Sequence, residues 1–209
     1  DDALIILCDT NYMVSRADAM AITAQEAWVD RGAAIEVPRF VREVVEEVAF
    51  QARAERRIDK RSGVSQRLPI SVLETGVSNA ERRAPAAGES PAVARVTDVY
   101  AALPSMTGKF ELEYEGEIKG ADHVAREIIR AAVATVFEGY FPNGDLKAVS
   151  RWFDQGGALS LSDATSADVM VEQVSAKANW NRTKAKKPIR ATVTAPMAAS
   201  RAAPSVLMN

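Results

Sequence analysis

The stretch "VPRFVREVVEEVAFQARAERR" (37–57) is the part of the sequence that decides the predicted fold. Its apolar residues recur at steps of three and four, the spacing of one face of an α-helix: Phe40, Val41, Val44, Val45, Val48 and Ala49. Pro38 stands where a first-turn proline belongs. The charged residues between them are expected to cover the outer faces: Arg42, Glu43, Glu46, Glu47 and Arg53. The pattern predicts a long amphipathic helix that runs to about Arg57.

Helical spacing continues on both sides of this segment. We expect further helices over 18–31, 66–84, 93–103, 121–138, 146–153 and 162–174. Asp18 and Ser65 are the predicted N-caps of the first two, and Gly32 is expected to end the first. The first helix should turn its apolar side inward: Met20, Ala24, Ala27 and Trp28. Residues 84–92 have the composition of a loop, and 104–120 of a helix or a loop. The sequence therefore predicts an all-α fold.

The two ends of the chain do not fit this pattern. Residues 3–8, "ALIILC", predict one short buried strand, for which the sequence offers no partner strand. After Lys177 the chain is rich in Ala, Pro and Lys without periodicity, which predicts a disordered tail. Because the first residue is Asp1 and not Met, we expect the chain to be a piece of a longer protein or an incomplete gene product.

Composition excludes several functional classes. The 209 residues carry a net charge of −2 with both signs interspersed, which does not favour nucleic-acid binding. No apolar run approaches the roughly 20 residues of a membrane span, and we expect a cytoplasmic protein. The chain has one cysteine (Cys8) and one histidine (His123). These numbers argue against a disulfide framework, against a metal site built from several Cys or His ligands, and against the common Ser/His and Cys/His nucleophile arrangements. The sequence also contains no phosphate-cradling GxxxxGK[ST] loop.

One segment carries a resemblance. "RRIDKRSGVSQRLPISVLETGVSNAERRA" (56–84) resembles the lid of AAA+ ATPases of the magnesium-chelatase I-subunit type, most specifically at "DKRSGVSQR" (59–67). More widely, residues 20–175 are similar to the C-terminal half of such ATPases. The resemblance implies a helical lid-type domain over 18–92 and a C-terminal helical region over 93–177. Residues 1–17 would be a remnant of an ATPase core that the sequence lacks, and 178–209 a tail.

The resemblance also implies a nucleotide-binding role for three residues. Arg67 matches the sensor-2 arginine, which reaches the terminal phosphate of ATP; a planar guanidinium can bind phosphate oxygens in a bidentate manner. Arg61 and Ser65 complete the predicted set, although a solvated surface charge is the alternative for Arg61. ATP and Mg²⁺ would be cofactors of the intact protein and not of this piece alone. We predict no catalytic residue and no metal ligand here, and no ATP hydrolysis by the chain alone.

The resemblance finally implies partners. The family forms homo-oligomeric rings and works with a protein that carries a von Willebrand factor A-type domain. Another class of function stays open, a non-catalytic helical protein-interaction module that shares the lid fold without meeting nucleotide. A helical regulator that binds nucleic acid is a weaker option because of the acidic balance. A phosphate-loop motif encoded upstream of Asp1 would favour the ATPase.

Overall fold

The structure, a computed structural model, describes residues 11–32, 34–142, 147–158 and 160–177. The prediction of an all-α fold is confirmed, apart from one short sheet. The first helices and the two strands are α1 Arg16–Glu26, β1 Ile35–Glu36, α2 Arg39–Ala54, α3 Arg67–Ala87 and β2 Ala92–Val93. The later helices are α4 Val96–Val99, a 3-10 turn Tyr100–Ala102, α5 Leu103–Thr107, α6 Tyr114–Lys119, α7 Ala121–Tyr140, α8 Lys147–Asp154 and α9 Ala167–Lys177.

Helix α2 lies at the centre of the core, as its periodicity predicts, and packs against α1, α3 and α7. Its outer faces are not where the sequence predicts them, because Glu43, Glu46 and Glu47 are also buried. Helices on several sides cover α2, and each buried acid has a polar partner, as buried charges require. Arg39 donates to Glu43 at 3.0 Å, and Arg16 pairs with Glu47 at 2.5 Å. The prediction that these glutamates face water is therefore wrong.

Several helix ends also differ from the prediction. The N-cap of α1 is Ser15, whose hydroxyl accepts the backbone N–H groups of residues 17 and 18, so Asp18 lies in the first turn. The helix ends at Glu26 and not at Gly32, which leaves Trp28 67% exposed and outside the predicted inward stripe. Helix α3 continues past 84 until Gly88, which adopts the left-handed conformation at φ +60° and ends it.

The sheet is a feature that the sequence did not predict. Strands β1 and β2 pair in parallel, with Ile35 beside Ala92. The backbone N–H of Ala92 donates to the Ala34 carbonyl at 3.0 Å, and that of Ala94 to the Glu36 carbonyl at 2.9 Å. Strands of two residues are too short for alternation to be visible in sequence. The pairing joins the chain before α2 to the chain after α3.

A buried ion network fixes the end of α3. The Arg83 guanidinium donates to the Asp98 carboxylate at 3.1 and 3.3 Å and to Glu89 at 3.0 Å. Arg95 donates to the other oxygen of Glu89 at 3.2 Å. All four side chains are at most 10% exposed. Charges taken out of water in this way are held by their mutual pairing, which locks α4 onto α3.

The remaining predicted segments divide into those that the structure describes and those that it does not. Residues 93–103 are split between β2, α4, the 3-10 turn and the start of α5, and 104–120 contains the rest of α5 and the short helix α6. The predicted strand at 3–8 and the predicted tail at 178–209 lie outside the described residues. Within the described ranges, we find no helix with both the length and the apolarity that crossing a membrane requires.

Candidate functional site

The candidate site lies where the turn 55–66 leads into α3. Arg67 is the first residue of α3, its side chain is exposed, and its Nε donates to the Ser65 hydroxyl at 3.4 Å. No acidic partner for Arg67 is present among the residues that the structure describes. The positive end of the helix dipole disfavours a cation at this position and favours a bound anion. Arg67 is therefore placed to meet an anionic group that the described residues do not supply.

Two other cations of the turn, Lys60 and Arg61, have partners within or next to it. Lys60 donates from Nζ to the carbonyls of Arg53 and Glu55, at 2.7 and 2.5 Å, and so caps the last turn of α2. Arg61 lies beside Asp59, with 3.4 Å between Nη2 and Oδ2, yet its side chain is 91% exposed. The pKa of Asp59 is lowered, chiefly by the hydrogen bond from the backbone N–H of Arg61. Arg61 is thus a weakly paired surface charge near the start of α3.

A buried hydrogen-bond network holds the residue just before Arg67. The Gln66 amide donates to Glu46 Oε1 at 2.6 Å and to the Thr23 hydroxyl at 3.1 Å. Thr23 in turn donates to Glu46 Oε2 at 2.8 Å, so both oxygens of this fully buried carboxylate are satisfied. Burial raises the pKa of Glu46, and the hydrogen bonds from Gln66 and Thr23 partly oppose that rise. The network ties the start of α3 to α1 and α2.

A second brace holds the turn from the other side. Arg53 donates from Nε to the Val64 carbonyl at 3.0 Å and from Nη2 to Gln66 Oε1 at 3.1 Å. Its guanidinium carbon lies 4.5 Å from the centre of the Tyr12 ring, within cation–π range. The Tyr12 hydroxyl accepts the backbone N–H of Val64 at 2.9 Å. Burial lowers the pKa of Arg53.

Gly63 is a position at which this brace favours glycine. Its φ of +69° lies in the left-handed region, and a Cβ built there would collide with the Tyr12 hydroxyl oxygen. The backbone of the turn and the ring of Tyr12 are therefore in close contact. As a result, the contact with Tyr12, and not only the sequence of the turn, determines the path of the chain into α3.

The structure brings together two of the three predicted site residues. Ser65 and Arg67 are in contact, and Arg61 lies earlier in the same turn. The prediction that Ser65 is the N-cap of α3 is wrong. The cap residue is Gln66, which has helical angles (φ −64°, ψ −12°) and makes no side-chain cap bond, because its amide is engaged with Glu46. The hydroxyl of Ser65 is left to accept from Arg67.

Sequence analysis did not identify the residues that brace the site: Tyr12, Thr23, Glu46, Arg53 and Gln66. A partial signal exists for two of them. Glu46 and Arg53 are seven residues apart in α2, which places them on one face of the helix. A polar pair on a helix that is otherwise buried indicates an internal network. Tyr12 and Thr23 give no comparable signal, because their partners are distant in sequence.

A polar surface cavity lies beside the earlier part of the turn. It measures 420 Å³, and its charged lining residues are of both signs: Arg56, Arg57, Lys119, Glu55 and Glu115. The ion pairs of Arg57 with Glu55 and Glu127 cross this region, and the pKa of Glu55 falls to about 2, chiefly through the hydrogen bond from Arg57. Walls of mixed charge do not favour a polyanion, so Arg67 is the better candidate for binding one.

Two further findings bear on the site. In the part of the chain that the structure describes, no three His, Cys, Asp or Glu side chains converge so as to hold a metal ion. Comparison with protein-family models, curated proteins and solved structures finds no match for this chain.

Proposed function

We propose that this chain is the lid and C-terminal helical part of a magnesium-chelatase-like AAA+ ATPase, in which Arg67 senses the terminal phosphate of ATP. The observation that carries the proposal is the state of Arg67. It is an exposed guanidinium at the first position of α3. Among the described residues it has no acidic partner, and its one side-chain hydrogen bond there is a long one to Ser65, at 3.4 Å. A guanidinium in this state is available for a phosphate group.

The bracing of the turn supports the same proposal. A sensor must hold its charged group at a fixed angle to the helix, so that a change at the phosphate becomes a change in lid position. The Gln66–Glu46 and Val64–Tyr12 hydrogen bonds fix the backbone on the N-terminal side of Arg67. The side chain itself stays exposed. Rigid support and a free end group are the two properties that a sensor needs.

The residues of this chain fit one part of a nucleotide site. Arg67 would bind oxygens of the terminal phosphate, the Ser65 hydroxyl would orient the guanidinium, and Arg61 would add positive charge at the rim of the site. When bound, Mg²⁺ would neutralise phosphate charge. We place the phosphate cradle and the metal ligands in another part of the longer protein. The chain alone is then expected not to hydrolyse ATP.

The proposal includes partners by the same resemblance. The longer protein would form a homo-oligomeric ring in the cytoplasm and work with a protein that carries a von Willebrand factor A-type domain. The lid would couple ATP binding and hydrolysis to assembly or remodelling.

The test is nucleotide-dependent assembly and ATP turnover of the longer protein, wild type against Arg67→Ala. We expect ATP turnover to fall on the order of 10- to 100-fold, the worth of one or two charge-assisted hydrogen bonds. Arg82→Ala is the matched control, because Arg82 is an exposed arginine of the same helix that donates a hydrogen bond to Asn79. Unchanged assembly and turnover in the Arg67 variant would remove Arg67 from the mechanism.

A second candidate function is a non-catalytic helical interaction module. It is favoured by an apolar surface groove of 220 Å³ between α2 and the end of α7. Grooves of this kind mark binding surfaces for other proteins. A wild-type nucleotide response in the Arg67 variant, together with a partner bound in the groove, would favour the module.

A further inference from the structure

Helix α9 is attached to the rest of the described structure differently from the other long helices. Helices α1, α2, α3 and α7 each bury at least two residues. None of the α9 side chains that the structure describes, 167–174, is buried, and Val169 and Val171 are 42% and 44% exposed. Burial of apolar surface therefore contributes little to holding α9 in place.

Two hydrogen bonds join the start of α9 to the buried ion network at the end of α3. Arg95 donates from Nη2 to the Thr165 carbonyl at 2.5 Å, and the backbone N–H of Ala167 donates to Glu89 Oε1 at 2.7 Å. Each bond pairs a charged side chain with a backbone group, which makes it stronger than a bond between neutral groups. We call these two bonds the clip. Among the described residues, no other hydrogen bond or ion pair joins 160–177 to the rest of the chain.

The body formed by α1 to α7 does not depend on the clip. Glu89 also accepts from Arg83 at 3.0 Å, from Arg95 at 3.2 Å and from the backbone N–H of Val93 at 3.3 Å. Without α9, Glu89 keeps these three donors, and Arg83 keeps its pairing with Asp98. The clip can therefore open locally while the joint between α3 and α4 stays paired.

The closed clip carries a cost at Arg95. The side chain of Arg95 is 10% exposed, and its Nε and Nη1 are buried without a hydrogen-bond partner among the described residues. Buried N–H groups without a partner are unfavourable, whereas water would satisfy them. Because the Thr165 carbonyl lies against the same guanidinium, departure of this segment admits water next to it. This cost offsets part of the strength of the clip and favours opening.

We infer that residues 165–177 form a reversible strap, which the clip fastens to the body and which opens while the body stays folded. An isolated helix of 11 residues is marginal in water, so α9 should lose its internal hydrogen bonds when the clip opens. Opening uncovers Glu89 and Arg95, and the strap thereby controls access to the network that joins α3 and α4. The inference rests on neither Arg67 nor nucleotide.

Hydrogen–deuterium exchange of the full 209-residue chain, followed by mass spectrometry, measures this opening. The amides of α9 from Met170 onward report it, since the Met170 N–H donates to the Ser166 carbonyl inside the helix. We expect them to exchange on the order of 100-fold or more faster than the buried amides of α2 and α7, because local opening needs less free energy than global unfolding. They should still exchange about tenfold or more slower than an unstructured peptide of the same sequence, because the clip is mostly closed.

The test variant is Ala167→Pro, which replaces the one N–H that donates to Glu89 with a proline ring. Proline is favoured at the first position of a helix, which Ala167 occupies, so α9 itself should tolerate the change. Protection of the α9 amides should fall about tenfold or more, the effect of losing one hydrogen bond to a charged group, with no change in α2 and α7. Ala167→Ser keeps the N–H and is the matched control, which should exchange like the wild type.

Four results would overturn the inference. Exchange of the wild-type α9 amides at the rate of the α2 and α7 amides would mean that α9 opens only with the whole body. Exchange at the rate of an unstructured peptide would mean that the clip does not form. Equal protection of α9 in the wild type and the proline variant, or equal losses in the proline and serine variants, would mean that the Ala167 N–H does not fasten the strap. Loss of protection in α2 and α7 of the proline variant would mean that the body depends on the clip.

Discussion

The close contact between Gly63 and Tyr12 predicts different costs for the same substitution at two glycines. Gly88 has φ +60° and no atom within 4 Å of a built Cβ, so Gly88→Ala costs only the left-handed conformation, about 1–2 kcal/mol. Gly63 has φ +69° and the Tyr12 hydroxyl in the path of the Cβ. Gly63→Ala therefore also displaces Tyr12, which costs its hydrogen bond to Val64, about 0.5–1.5 kcal/mol, and its cation–π contact with Arg53, about 0.5–1 kcal/mol.

The total for Gly63→Ala is then about 2–4 kcal/mol, against about 1–2 kcal/mol for Gly88→Ala. Urea denaturation measures both free energies of unfolding, with the slope checked for constancy. A double-mutant cycle with Tyr12→Phe isolates the collision. The phenylalanine lacks the hydroxyl and need not move, so the excess cost at Gly63 should disappear in that background. Equal costs at the two glycines, or an excess that persists without the hydroxyl, would refute the contact and the brace built on it.

Three further predictions concern charged groups that are buried or paired. Arg83→Met leaves Asp98 buried without its cation and should lower the free energy of unfolding by about 3–5 kcal/mol. Arg82→Met should change that free energy by less than about 0.5 kcal/mol. Similar urea midpoints for the two variants would contradict the prediction. Burial raises the pKa of Glu46, so its contribution to stability is present below its unfolded pKa and is lost as pH rises through the folded pKa. The wild type should therefore lose stability relative to Glu46→Gln as pH rises above the unfolded value of about 4. Glu55, whose pKa is lowered to about 2, should behave in the opposite way, because its contribution to stability is present above the unfolded pKa and is lost as pH falls towards 2. Parallel stability–pH curves for Glu46→Gln and Glu55→Gln would count against both assignments.

The fold class was predictable from sequence because α2, α3 and α7 each carry a long apolar stripe at helical spacing. The prediction that failed concerns the polar faces of α2, which are buried and not exposed to solvent. The sequence of α2 does not reveal that helices lie on several sides of it, so its glutamates look solvated when they are internal. Pairing with Gln66, Arg39 and Arg16 makes that burial tolerable. Arg39 belongs to α2 itself, but Gln66 and Arg16 are 20 or more residues away from their partners in the sequence.

The sequence predicted where the candidate site lies, but not which residues support it. The proposed resemblance of a short motif indicated Arg67, Arg61 and Ser65, and the structure places all three in or next to one turn. The supporting residues were not accessible, because Tyr12 acts across about 50 positions of sequence. Local capping preference indicated Ser65, yet a tertiary bond to Glu46 settles the start of α3 at Gln66.

The most direct test of the proposed role of Arg67 is the ratio of the ATP and ADP affinities of the longer protein. A residue that contacts the terminal phosphate makes its bond with ATP and not with ADP. We therefore expect Arg67→Ala to weaken ATP binding on the order of 10- to 100-fold while ADP binding stays at the wild-type level, and Arg82→Ala to change neither. Equal weakening of both nucleotides, or of neither, would contradict the assignment of Arg67 as the phosphate sensor.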